Sequence, residues 1–364
     1  MITGHGDDGY LYGDAVKMNF SSNVCYNADT KCLKDYLGTR LDVISSYPCP
    51  YPYRLACLLA EREGVAAENV FVTAGVVDAV YLIAQTFSRM IRRCAVCRPA
   101  FSEYEDACRI FGYDVVDMDD EHPCLRWICS PDNPTGKVID MERLSDLSCG
   151  AGVTVIDCSY ERYTLRRVTS AREGLNMSRT ILLHSLTKSY AIPGLRVGYV
   201  TAAKDIIDML RANYRPWAVN ALAIEAALFL VEQGESAVPN LSTWLDDAKR
   251  LRNDLGALRG VRVHDSDTPF MMCSLDCASA GELKEYLVRE HGMLIRDLSN
   301  MRGLGAGFFR VCALSREANA ALVSAVGEFI GGEAGASSRD KYSIGKRCGD
   351  NAAKTIIDGS DNGL

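Results

Sequence analysis

Residues 180–199 read TILLHSLTKSYAIPGLRVGY. The apolar, β-branched run TILLHS predicts a buried strand and sets Lys188 just past its carboxyl end. Ligands of open parallel sheets gather at that end of the strands. A lysine held in a partly dry pocket loses proton affinity and becomes an amine nucleophile toward carbonyls. Ser185, Thr187 and Arg196 around it can supply donors to an anion. A solvated surface lysine is the plain alternative, and the apolar strand that delivers it argues against that.

Outward from this stretch the chain alternates. NVFVTAG (69–75), CAVCRP (94–99), DVVDMD (114–119), RWICSP (126–131), VTVIDC (153–158) and RVGYVT (196–201) are short β-branched or apolar runs. LACLLAERE (55–63) and VVDAVYLIAQTFS (76–88) have helical spacing. Strands alternating with helices predict an α/β fold, a mostly parallel sheet covered by helices on both faces. AIEAALFLVEQG (223–234) and LSTWLDDAKRLRNDLGAL (241–258) are predicted helices. Beyond them VRVHDS, FMMCSLD, MLIRDLS and FFRVCAL read as strands and AGELKEYLVREHG and EANAALVSAVGEFI as helices, a smaller α+β C-terminal domain. The expected division is an N-terminal arm (1–45) joining the small domain, a large domain (46–245), the small domain (246–331) and a disordered tail rich in Gly, Ser and Asp (332–364). The arm carries a small strand at MNFSSNV (18–24) and helical spacing over 28–38, and proline punctuates YPCPYPYR (47–54) into a loop.

The 364 residues are 48% hydrophobic and 24% charged, with a formal net charge of −7. That balance supplies a core and lacks the basic field that nucleic acid requires. No uninterrupted apolar stretch is long enough to span a membrane. The opening MITGHGDDGYLYGD lacks the features of a signal peptide, so the fifteen cysteines are expected to be free thiols in a cytoplasmic protein. Cys94 and Cys97 form a C-x-x-C, which invites a zinc or redox reading, but a tetrahedral zinc site needs four ligands and the only nearby candidates are Cys108 and His122; free thiols and no metal are expected.

Other chemistry-bearing residues stand at telling places. Asp157 ends a predicted buried strand, with Tyr160 three residues on; a plain helix cap is its alternative. TAGVVDAV (73–80) is a strand-to-helix turn whose backbone N–H groups at Val76 and Val77 suit a phosphate. Arg310 lies inside an apolar strand, where its fork needs a partner: a ligand carboxylate or an internal salt bridge.

The string SLTKSYAIPGLRVG (185–198) resembles the cofactor-lysine motif of the class I/II aminotransferases, fold-type-I pyridoxal 5'-phosphate (PLP) enzymes, and the resemblance runs from about residue 18 to 330. It implies that Lys188 condenses with the PLP aldehyde, that Ser185 and Arg196 bind the phosphate with Thr187 close by, and that Val76 and Val77 complete the phosphate cup. ICSPDNPTGKVI (128–139) resembles the family's N-P-T-G turn, so Asn133 would hydrogen-bond the PLP hydroxyl, with Tyr160 donating to the same oxygen. Asp157 would keep the ring nitrogen protonated, which lets the ring accept electron density from the substrate's Cα. RPAFSEY (98–104) matches the segment whose aromatic stacks on the ring, here Phe101, with a core aromatic as the alternative. Tyr47 matches a tyrosine that reaches the phosphate of the neighbouring subunit's cofactor, which implies a homodimer with shared active sites. Arg310 would bind the substrate's α-carboxylate.

Two stretches are similar to one branch of the family. GHGDDGYLYGD with MNFSSN, and LIRDLSNMRGLGAGFFRV (294–311), look like threonine-phosphate decarboxylases of cobalamin biosynthesis, relatives of the histidinol-phosphate aminotransferases. That branch begins with H-G-G near a phosphate site; here His5-Gly6-Asp7 stands instead, an acid in place of a glycine. His5, Arg296 and Asn300 become candidates for contacting substrate, with an ordinary strand-end arginine and turn asparagine as the plain readings. Decarboxylation of a small phosphorylated amino acid is the leading expectation and amino transfer the alternative. A non-catalytic regulator on the same scaffold is the third reading; the presence of both Lys188 and Asp157 speaks against it.

Overall fold

The computed structural model describes residues 7–332 apart from 121 and 151. His5 and residues 333–364 of the expected tail lie outside the described residues.

The strands are β1 (Met18–Asn19), β2 (Val70–Thr73), β3 (Arg93–Val96), β4 (Asp114–Val116), β5 (Leu125–Cys129), β6 (Val153–Asp157), β7 (Thr180–Ser185), β8 (Gly198–Ala202), β9 (Val261–Val263), β10 (Phe270–Leu275), β11 (Met293–Leu294), β12 (Arg296–Asp297) and β13 (Phe308–Cys312). Seven form one sheet in the order β2-β8-β7-β6-β5-β3-β4. Every residue of β5, β6 and β7 is buried, which is why these strands are mostly apolar on both faces rather than alternating. The pairings from β4 through β7 are parallel, whereas β8 runs antiparallel to both β7 and β2. Its reversal has a consequence for the site: Gly198, where β8 begins, pairs with Ser185 and Thr73, where β7 and β2 finish. The loop entering β8 therefore meets the loops leaving two other strands.

A second, antiparallel sheet has the order β12-β13-β10-β9. The expected single strand MLIRDLS is two: Met293–Leu294 pairs in parallel with β1, and Arg296–Asp297 pairs with β13. Each sheet has its own buried cluster. Phe71, Ile83, Leu183 and Trp127 belong to the first, and Phe20, Trp244, Leu287 and Phe309 to the second. Phe20, just after β1, carries the early chain into the second cluster. The Ala280–His291 helix that covers this sheet starts with a capping box: Ser279 accepts from the Glu282 backbone N–H and Glu282 reaches back to that of Ser279. Among the described residues no helix is long and apolar enough to cross a membrane.

Candidate active site

A cavity of about 420 Å³ opens at the carboxyl edge of the large sheet and is closed on one side by residues of the second sheet. Lys188 lies in the Leu186–Ser189 turn of helix that follows β7, with its amine 5.8 Å from the centre of the Tyr160 ring. Burial, then the nearby Arg310, pulls the amine's pKa down from 10.5 to about 8. About a tenth of the amine is thus neutral at pH 7, far more than for an ordinary lysine, and the neutral form is the carbonyl nucleophile.

Asp157 is the last residue of β6, hydrogen-bonded in register beside β7. Its Oδ1 accepts from the Ser159 backbone N–H at 2.8 Å and its Oδ2 from the Tyr104 hydroxyl at 2.6 Å. Burial pushes this carboxyl up, and the donors from Ser159 and Tyr104 oppose it. The Tyr160 phenol accepts from Asn23 Nδ2 at 3.2 Å, and burial raises its pKa to about 12, so it remains a hydrogen-bond donor.

The anion end is built from three loops. Gly75 caps the Val76–Phe87 helix with φ of 85°, so the N–H groups of the first turn face the cavity region where Val76 and Val77 line it. Ser185 and Thr187 hydroxyls lie 2.7 Å apart. Arg196 takes a left-handed backbone (φ 57°), and a Cβ built on Gly75 would meet its Nη2 at 2.8 Å. The guanidinium lies that close over the glycine because there is no side chain there. Phe101 lines the same cavity, its ring edge-on to Tyr104.

From the second sheet come Arg296 and Arg310, directly paired in register on β12 and β13, both buried. Arg310 donates through Nη1 to Asn133 Oδ1 and through Nη2 to the Ser21 carbonyl at 2.7 Å, while its buried Nε has no hydrogen-bond partner among the described residues. Both contacts are neutral, so the internal salt bridge held open as an alternative does not form with either of them. Asn133, its oxygen used by Arg310, keeps its NH2 as a donor.

The cavity thus collects Val76, Val77, Phe101, Asn133, Asp157, Tyr160, Ser185, Thr187, Lys188, Arg196, Arg296 and Arg310. Two expected residues stand outside its lining. Tyr47 is 85% exposed, its ring 5.4 Å from that of Trp217. Asn300 is exposed and accepts from Arg296 Nη2 at 3.0 Å. Sequence reasoning missed Tyr104, Ser21, Asn23 and Met301. Nothing in the local sequence around Tyr104 ties it to Asp157. Among the described residues no cluster of three or more His, Cys, Asp or Glu side chains can hold a metal ion, and every described cysteine is a free thiol.

A depressed lysine and a buried acid, set with a phosphate cradle at the carboxyl edge of such a sheet, define a fold-type-I cofactor enzyme. The model of the family described as aminotransferase class I and II matches residues 15–326, and the chain belongs to that family. Its cofactor is PLP, and the chain is a PLP-dependent enzyme, a decarboxylase or a transaminase. Histidinol-phosphate aminotransferase of Thermoanaerobacter sp. (strain X514) is 30% identical over 309 residues, 79% of this chain and 85% of that protein. The crystal structure of L-threonine-O-3-phosphate decarboxylase from Porphyromonas gingivalis is 33% identical, with a TM-score of 0.81, covering 86% of this chain and 100% of that one. The histidinol-phosphate aminotransferase structure from Clostridium acetobutylicum, 23% identical with a TM-score of 0.74 and covering 85% and 98%, has the same fold.

The residues fit the cofactor. The close approach of Arg196 to a side-chain-free Gly75 leaves a cradle of N–H donors for a phosphate, and the buried Asp157 carboxylate has the chemistry to face a protonated ring nitrogen.

Proposed function

We propose that this enzyme decarboxylates a small phosphorylated amino acid, in the manner of a threonine-phosphate decarboxylase. The observation that carries this reading is the Arg296–Arg310 pair. Like charges directly opposite on one sheet face are unfavourable. A substrate bearing both a carboxylate and a phosphate would offset that repulsion within one cavity. Arg310 then holds the α-carboxylate, and Arg296, steadied by Asn300, meets the phosphate.

PLP, when bound, supplies an aldehyde for an amine and a ring that draws electron density from Cα. Lys188 would provide the enzyme's own amine for that aldehyde and a base or acid for a proton at Cα. Asp157 would hold a proton at the ring nitrogen. Asn133 and Tyr160 would hydrogen-bond the ring hydroxyl, Val76, Val77, Ser185, Thr187 and Arg196 would hold the phosphate, and Phe101 would pack against the ring. The two arginines, by holding the substrate's anionic groups, would decide which bond at Cα breaks.

Histidinol-phosphate amino transfer is the second reading, favoured by the 30% identical relative that carries that name. We also infer a homodimer in the cytoplasm. Leu41, Ile44, Tyr47, Tyr53 and Trp217 are each between 48% and 85% exposed, an apolar surface suited to a second copy of the chain. The test of function offers PLP-loaded protein threonine phosphate and histidinol phosphate separately. Release of CO2 from the first supports the proposal. Transfer of the amino group of the second to 2-oxoglutarate, with no CO2 from the first, replaces it with the second reading.

A further inference from the structure

Tyr104 begins as an unremarked residue of the Glu103–Ile110 helix and ends as the tightest contact of Asp157. Its ring is fully buried. It stacks on Trp127 at 5.2 Å between centroids with 9° between planes, and it meets Phe101 edge-on at 5.7 Å. Two aromatic neighbours thus fix where its hydroxyl points, which is to Asp157 Oδ2. The other carboxylate oxygen takes the Ser159 backbone N–H. A phenylalanine would fill the same slot, so packing alone does not call for the hydroxyl.

We propose that Tyr104 is a positioning residue that acts through Asp157, keeping the proton of the acid–ring pair on the cofactor's nitrogen rather than on the carboxylate. The inference rests on the reading that Asp157 faces that nitrogen. A hydrogen bond donated to a carboxylate stabilises the charged form, and at 2.6 Å the phenol gives a short charge-assisted bond. Burial favours the neutral acid, and an Asp157 without this donor would draw the shared proton toward itself. The ring would then be neutral and accept less electron density from Cα. Tyr104 itself transfers no proton and touches no substrate.

The test uses holoenzyme loaded with PLP labelled with 15N in the ring, whose chemical shift distinguishes pyridinium from pyridine nitrogen. The wild type is expected to give the pyridinium shift and Asp157→Asn a shift toward pyridine. Tyr104→Phe is expected to move the shift in the same direction, with kcat lowered about tenfold and KM little changed. An unmoved shift in Tyr104→Phe, with Asp157→Asn displaced, overturns this inference alone. An unmoved shift in Asp157→Asn overturns the underlying reading of Asp157. Should Tyr104→Phe fail to fold, 4-aminophenylalanine at position 104 keeps the shape and makes a weaker donor. It is expected to move the shift toward pyridine, and an unmoved shift there also overturns the inference.

Discussion

The guanidinium of Arg310 donates to the side-chain oxygen of Asn133 while a second N–H reaches the Ser21 carbonyl, so one side chain of β13 ties the turn after β5 to the segment after β1. A planar fork serves this geometry, and an ammonium does not. Arg310→Lys is expected to raise KM for a carboxylate-bearing substrate at least tenfold, with a smaller change in kcat. Steady-state kinetics on the substrate found by the product assay check this; an unchanged KM removes Arg310 from substrate binding.

Lys188 carries a stability penalty with a defined pH window. In the folded chain its amine titrates near 8, against 10.5 for an ordinary lysine. Between those values the unfolded chain binds more protons than the folded one, so stability rises with pH across that window and the penalty is full below 8. Lys188→Met is therefore expected to stabilise the apoprotein at pH 7 by on the order of 1–3 kcal/mol, and by much less at pH 10. Urea unfolding at the two pH values measures it. Equal gains at both would show that the amine is not depressed.

The same substitution removes the amine that condenses with PLP. Borohydride reduction of wild-type holoenzyme is expected to fix cofactor mass on the peptide containing Lys188, and the Met variant is expected to carry none. Reduced adduct on another lysine of the variant would reject the assignment.

Gly75→Ala places a methyl group at a backbone φ of 85° and 2.8 Å from Arg196 Nη2. The backbone strain alone costs about 1 kcal/mol, and the guanidinium must retreat from the cradle. PLP affinity is expected to fall roughly tenfold with the fold retained. Equilibrium dialysis, with circular dichroism as control, reads both; unaltered affinity would move the phosphate site elsewhere.

Ile44→Asp combined with Trp217→Asp puts charge on the exposed apolar surface. Sedimentation is expected to change from dimer to monomer, and, if Tyr47 contributes to the partner's phosphate site, cofactor affinity is expected to drop as well. A monomeric wild type, or a variant that stays dimeric, rejects this face as the interface.

The sequence carries much of this site because the cofactor motifs are local. Ser185, Thr187, Lys188 and Arg196 fall within twelve residues, and the strand that ends at Ser185 is buried throughout. Strand direction is a different matter. Periodicity reports burial, not orientation, so the reversal of β8 was not legible in RVGYVT. Nor was the break in MLIRDLS, where Ile295 continues the apolar run while its neighbours change partners. Tyr104 escaped because its partner is 53 positions away and no spacing rule links a helix-start tyrosine to a strand-end acid. Arg310 was legible as a buried cation in need of company, but its neutral partners, an amide oxygen and a carbonyl, leave no trace in charge patterning.

The residues proposed to seat the cofactor arise mainly from the carboxyl edge of one sheet, and the two facing arginines from another with a separate core. Arg310, bonded to Asn133, is the rivet between the two layers, so a change at Arg296 or Asn300 could retune which anion is accepted while Asp157 and Lys188 stay in place.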